Sequence, residues 1–268
     1  MTPDQFTFGM AFSQIGMAPG EIRDFLLFPE FDAAELPWEV FTSEPQLLKT
    51  AQKKKMDLLC GSVTDPQLSR MIAFAGEKMQ RDFAGQLRNA LTFLAEKDIR
   101  TATLACPLND ILGDPDAEQA LRSILLGAAP VLQEKSMTLL LPLTIQSADG
   151  ALAMPAAKFL RDTLLPGIKL RLDIYPWNLP PKSDPRKAAG LLGYETRVLT
   201  FRYDADCGNR IKTDFLENWL PFLALKSTVL LAPFSLRNRM AMAEGEQFAG
   251  ILRDLRQFSG LDDLTKRA

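Results

Sequence analysis

Three aspartates stand where an apolar run gives way to polar residues: Asp173 in LDIYPW, and Asp204 and Asp206 in RYDADCGNR. Two carboxylates in different surroundings can divide general acid and general base work between them. Asp173 is the first candidate, as a base or as an acceptor for ligand hydroxyls; the alternative is a buried pair with Arg171 or Arg202. Asp204 or Asp206 would supply the second carboxylate, unless both only form a turn before Gly208. Arg202, Arg210 and Arg237, with Lys182 and Arg186, could form a positive rim for an anionic ligand, or simply be solvated surface charge. Trp177, Tyr175 and Trp38 offer broad aromatic area with a polar edge, suited to stacking on a ring or to packing beneath a loop. Gln14, beside Ser13 at the end of the first apolar run, is a further polar candidate.

Composition closes other routes. The 268 residues include no histidine, which excludes Ser-His-Asp and Cys-His catalysis, His-ligated zinc, two-His iron and a histidine pH switch. The 31 basic and 33 acidic side chains balance to −2, so no broad basic face invites nucleic-acid phosphates or anionic lipid. Cys60, Cys106 and Cys207 are odd in number and widely spaced, against a disulfide framework. Each lies at or just past a strand end, and a soft metal site or thiol base would require them to converge; small buried core positions are the alternative. The start, MTPDQFTFGM, has no signal-peptide pattern, and no apolar run approaches the roughly 18 residues of a membrane span. A soluble, cytoplasmic protein is expected.

The candidates must be held by elements, and the chain alternates strands with helices. Strands are predicted near Phe6 to Phe12, Trp38 to Thr42, Met56 to Cys60, Thr101 to Cys106, Met137 to Leu143, Ile168 to Ile174, Arg197 to Tyr203 and Thr228 to Phe234. Unbroken apolarity in TLLLPL and STVLLAPF suits strands of a parallel sheet covered on both faces. Leu87, Ala90, Leu91, Leu94 and Ala95 repeat at helical spacing, as do Leu121, Ile124, Leu125, Ala128 and Leu132, then Phe248, Ile251, Leu252 and Leu255. Glu44-Pro45, Asp65-Pro66 and Asp114-Pro115 mark helix starts. About eight such units with right-handed crossovers close most economically into a (β/α)₈ TIM barrel, taken as a single domain over residues 1–268. FGMAFSQIG after the first strand gives no GxGxxG, which disfavours an open nucleotide-binding sheet, and no cofactor is expected. The proline-dense YPWNLPPKSDP reads as a long loop over the barrel mouth.

The segments QLRNALTFLAEKDIRTATLACP, AEQALRSILLGAAPVLQEKSMTLLLPL, IKLRLDIYPW and RVLTFRYDAD resemble the xylose isomerase-like TIM barrels, which include sugar phosphate isomerases and epimerases and the endonuclease IV type of nuclease. The resemblance runs from about residue 1 to 258 and lies in apolar pattern and spacing. It implies a divalent metal at the mouth, held by Glu on the fifth strand, Asp with a nearby His on the sixth, His on the seventh and Glu on the eighth. This chain departs from that set. Leu141-Pro142-Leu143 and Ala232-Pro233-Phe234 stand where the glutamates would be, Arg202 or Tyr203 where the seventh-strand His would be, and only Asp173 matches. A single carboxylate does not hold a divalent ion tightly. No metal site is therefore expected, and endonuclease activity is disfavoured further by the lack of a basic surface.

The expectation is thus a divergent sugar isomerase/epimerase-like barrel that has lost the usual metal site. It would bind a small polar or anionic carbohydrate, a sugar acid included, at the C-terminal ends of the strands. Any catalysis would be proton transfer by Asp173 with Asp204 or Asp206. The alternative is a noncatalytic barrel serving as ligand sensor or protein partner. The family likeness also allows a homodimer.

Overall fold

The protein is described by a computed structural model. The described residues are 6–14, 17, 19–64, 68–145, 151–175, 185–202, 208–224, 226–232 and 242–258. Eight parallel strands close a barrel in chain order: β1 (Phe6–Ala11), β2 (Ala33–Leu36), β3 (Asp57–Cys60), β4 (Thr101–Thr103), β5 (Thr138–Ile145), β6 (Ile168–Ile174), β7 (Thr196–Phe201) and β8 (Ser227–Leu231). The ring closes through pairing of Phe6 with Ser227 and Met10 with Leu231. Helices cover it: α1 (Pro19–Phe25), α2 (Trp38–Ser43), α3 (Pro45–Lys53), α4 (Leu68–Met71), α5 (Glu77–Glu96), α6 (Pro115–Glu134), α7 (Ala153–Thr163), α8 (Pro185–Leu192), α9 (Gly208–Thr213) and α10 (Met242–Phe258). The architecture is a (β/α)₈ TIM barrel.

The expected apolar stripes are the buried ones. In α5, Leu87, Leu91, Leu94 and Ala95 face the barrel, and in α6 the whole series from Leu121 to Leu132 does. Phe248, Ile251, Leu252 and Leu255 do the same in α10. Asp114 caps α6, accepting hydrogen bonds from the backbone N–H of Asp116 at 3.0 Å and Ala117 at 3.2 Å, with Pro115 at the first helical position.

One strand assignment is corrected. Trp38 to Thr42 is helix α2, and the second strand is the earlier Ala33–Leu36. Pro37 is the reason: extended at φ −65°, ψ 153°, it ends the strand and becomes the residue from which α2 starts. The aromatic and β-branched residues after it serve a single helical turn and a half, with Val40 and Phe41 buried. The fourth strand is also shorter than expected, ending at Thr103.

The barrel interior departs from the usual filling of bulky branched side chains. An interior apolar cluster of Ala11, Ala33, Leu59, Leu140, Val198, Leu230 and Ala232 includes three alanines. Alongside it Glu35, Arg171 and Asp173 are buried. Close approach of β1 and β2 depends on Gly9, where a Cβ would run into the backbone carbonyl of Ala33.

Candidate functional site

In barrels of this kind chemistry belongs to the C-terminal ends of the strands. Here that end is built around one guanidinium. Arg171 on β6 donates from Nε to Asp173 Oδ1 at 3.1 Å on the same strand, and from Nη1 to Glu35 Oε2 on β2. Glu35 Oε1 accepts the Ser13 hydroxyl, from the turn after β1. A polar chain therefore crosses the barrel from Ser13 through Glu35 and Arg171 to Asp173.

Burial makes this chain consequential. Relative exposure of the side chains is 2% for Arg171, 0% for Glu35 and 9% for Asp173. A buried charge without a partner costs several kcal/mol, so each carboxylate stays in the mouth because the guanidinium is there, and the reverse. Burial opposes the Arg171 charge, but Asp173 and Glu35 outweigh it and hold the group above the ordinary guanidinium range. Arg171 Nη2 is buried and has no hydrogen-bond partner among the described residues.

The Ser13 end opens on a cavity of ≈ 350 Å³ lined by Ser13, Pro37, Trp38, Glu39, Ser62, Val63 and Thr64. That is the size range of small-molecule pockets. The Trp38 ring rests against Phe93, centroids 5.3 Å apart at 48°, which fixes its orientation at the cavity wall. Gly61 keeps the corner narrow, because a Cβ there would displace the Ser13 side chain and reach within 3.0 Å of Glu35 Oε1.

The sequence candidates divide. Asp173 is at the mouth, and the pairing raised as its alternative is the one found, with Arg171 as partner. Arg202, just past β7, is part-buried over the Tyr175 ring at 5.3 Å, and its Nε is buried with no hydrogen-bond partner among the described residues. Burial pushes the Tyr175 phenol above its ordinary range against the pull of Arg202, leaving a neutral O–H at physiological pH. The structure thus brings Asp173, Arg171, Tyr175 and Arg202 together. Arg210 is exposed on α9, and the backbone of Gln14 lies in the turn Phe12–Gln14. Asp204, Asp206, Trp177 and Arg237, with Lys182 and Cys207, and the side chain of Gln14, lie outside the described residues.

Other polar strand-end residues serve the scaffold. Asn109 and Thr144 clasp each other, Asn109 Nδ2 donating to the Thr144 carbonyl at 2.9 Å and Thr144 N–H to Asn109 Oδ1 at 2.8 Å. Cys60 and Cys106 are unpaired and buried, and burial pushes both thiols up to about 12. They are neutral at physiological pH, which removes thiolate chemistry from these two.

The divalent ion that the resemblance implies does not fit the described residues. On β5 the residues in register with Arg171 and Asp173 are Pro142 and Thr144, and at the end of β8 Leu230 and Ala232 are buried and apolar, so neither strand presents a carboxylate to the mouth. The remaining carboxylate, Asp173, has one oxygen occupied by a guanidinium. Among the described residues no three His, Cys, Asp or Glu side chains converge on a point where an ion could sit.

Sequence reasoning missed Glu35, Glu39 and Thr64. The first followed from the misplaced second strand; a short AAEL run closed by Pro37 was its only signal.

Comparison with known proteins gives the fold. No family model matches the chain, and no curated protein does. Among solved structures, D-psicose 3-epimerase from Clostridium cellulolyticum H10, with D-tagatose, is 12% identical, with 94% of this chain and 98% of that chain covered and a TM-score of 0.64. A sugar phosphate isomerase/epimerase from Parabacteroides distasonis is 11% identical over 96% and 95% of the two chains, at 0.63. An AP endonuclease of family 2 from Brucella melitensis is 12% identical over 91% and 98%, also at 0.63. The closed barrel found here is the fold of these solved structures.

Proposed function

We propose that this protein is a sugar isomerase/epimerase-like barrel that binds a small polar or anionic carbohydrate at the C-terminal mouth, without the divalent ion of the resembling family. The observation that carries this is the cavity at the ends of β1 to β3. It sets an oriented indole, Trp38, beside the hydroxyls of Ser13, Ser62 and Thr64 and the carboxylate of Glu39. A sugar ring offers one apolar face and a girdle of hydroxyls, which suits an aromatic wall with alternating donors and acceptors. Arg171 and Arg202 do not line this cavity but lie at the same end of the barrel, where their charge would favour an anionic ligand. The solved structures named above with sugar substrates support the same class of ligand.

Proton transfer by Asp173, with Asp204 or Asp206 as second carboxylate, is the chemistry this reading allows. The ion pair of Asp173 favours a second reading, a noncatalytic ligand sensor or protein partner: its Oδ1 already accepts from Arg171 Nε. One experiment covers both. Thermal unfolding is followed with a panel of sugars, sugar acids and sugar phosphates, and any stabilising compound is incubated in D₂O to detect proton exchange at carbon by NMR. At a ligand concentration of about 100 Kd, stabilisation near 2.7 kcal/mol is expected, and Trp38→Ala should abolish most of it. Exchange that is lost in Asp173→Asn supports catalysis; stabilisation without exchange supports the sensor. No stabilisation by any member of the panel, or stabilisation untouched by Trp38→Ala, contradicts the placement of the ligand.

A further inference from the structure

The centre of the mouth already holds a cation, and it belongs to the chain. Arg171 reaches Glu35 on β2 and Asp173 on β6, strands on different sides of the ring, and all three side chains are at least nine-tenths buried. The network joins one guanidinium to two carboxyl groups. On β5, which pairs with β6, Pro142 and Thr144 stand in register with Arg171 and Asp173, and at the end of β8 Leu230 and Ala232 are buried and apolar, so neither strand adds a carboxylate to the network. A divalent ion of the magnesium or calcium kind draws on several oxygens at once, and among the described residues the two buried carboxylates, Glu35 and Asp173, are both paired with the guanidinium.

We infer that Arg171 is the resident cation of the mouth, a positioning residue whose guanidinium occupies the space between Glu35 and Asp173 and keeps that carboxylate pair from taking up a divalent metal. The planar fork suits this task, since it satisfies two carboxylates along separate edges and stays charged at any physiological pH. Glu35 is thereby held for Ser13, which lines the cavity. The inference deepens the metal-free reading of the mouth, but its test uses no carbohydrate, so the two can fail separately.

The full-length protein is purified without chelator, its metal content is measured, and Mn²⁺ binding is then followed by EPR together with the thermal midpoint. Wild type should retain no stoichiometric divalent ion, and neither EDTA nor millimolar Mn²⁺ should move its midpoint. Arg171→Ala vacates the guanidinium but keeps both carboxylates. It should bind roughly one equivalent of Mn²⁺ at least about tenfold more tightly than wild type, with a midpoint raised by Mn²⁺ or by methylguanidinium. The gain should vanish when Glu35→Gln and Asp173→Asn are added, a response that a purely structural arginine would not give. A stoichiometric ion in wild type, stripped by EDTA with a fall in midpoint, overturns the inference. So does a folded Arg171→Ala protein that takes up Mn²⁺ no better than wild type. Should that variant stay unfolded with either ion, the wild-type arm decides: retained metal overturns the inference and its absence supports it.

Discussion

Asp57 begins β3, at the end of the barrel away from the mouth, where Thr228 Oγ1 donates to its Oδ2 at 3.4 Å and Thr7 lies 2.9 Å from the same threonine. Burial raises its carboxyl above the ordinary value, against the opposing pull of Arg197 and the Thr228 hydrogen bond. The folded state therefore binds this proton more readily than the unfolded chain does. Its contribution is most favourable below the unfolded carboxylate pKa and is lost as pH rises through the folded one. Asp57→Asn should raise the thermal midpoint at neutral pH and flatten the decline in stability between acid and neutral pH. A variant that declines as steeply as wild type would assign the slope to another group, with Asp32, also raised mainly by burial, next in line. At the mouth, single-residue chemistry was only partly legible. Asp173 could be named because it stands near the end of an apolar strand, yet Glu35, which shares Arg171 with it, lies 136 residues from that arginine, and no local pattern announces a salt bridge formed across a closed ring.

Elements were legible where a local signal agreed with the tertiary role. Asp114-Pro115 before a helical stripe is such a case, and the cap forms as expected. Asp114→Ala should cost about 1 kcal/mol of stability, read from denaturant midpoints, while leaving ligand responses at the mouth unchanged. A neutral result would show that Pro115 and the apolar face alone define that helix start. The second strand shows the opposite case. AAEL is four residues long and places a charged side chain inside the barrel, so it lacks the continuous apolarity of β5 or β8. WEVFT has strand-like residues but follows a proline that redirects the chain into a helix. The misassignment hid Glu35, the residue that ties β2 to β6.

At the scale of the whole molecule, closure of the ring is what turns scattered residues into one site. Eight apolar strands separated by amphipathic helices specify the barrel, and the barrel brings the turn after β1, the middle of β2 and the end of β6 to one place. Periodicity conveys that architecture because each repeat buries its own apolar face. It does not convey which polar side chains meet inside, since these depend on register and on the size of their neighbours. The resulting mouth pairs a buried guanidinium with the cavity walled by Trp38, and under the proposed function ligand binding there should need no metal. The most direct measurement is a calorimetric titration of a stabilising sugar or sugar acid into protein treated with EDTA and into untreated protein. The same Kd in both is expected; binding that disappears after EDTA and returns with Mn²⁺ would contradict it.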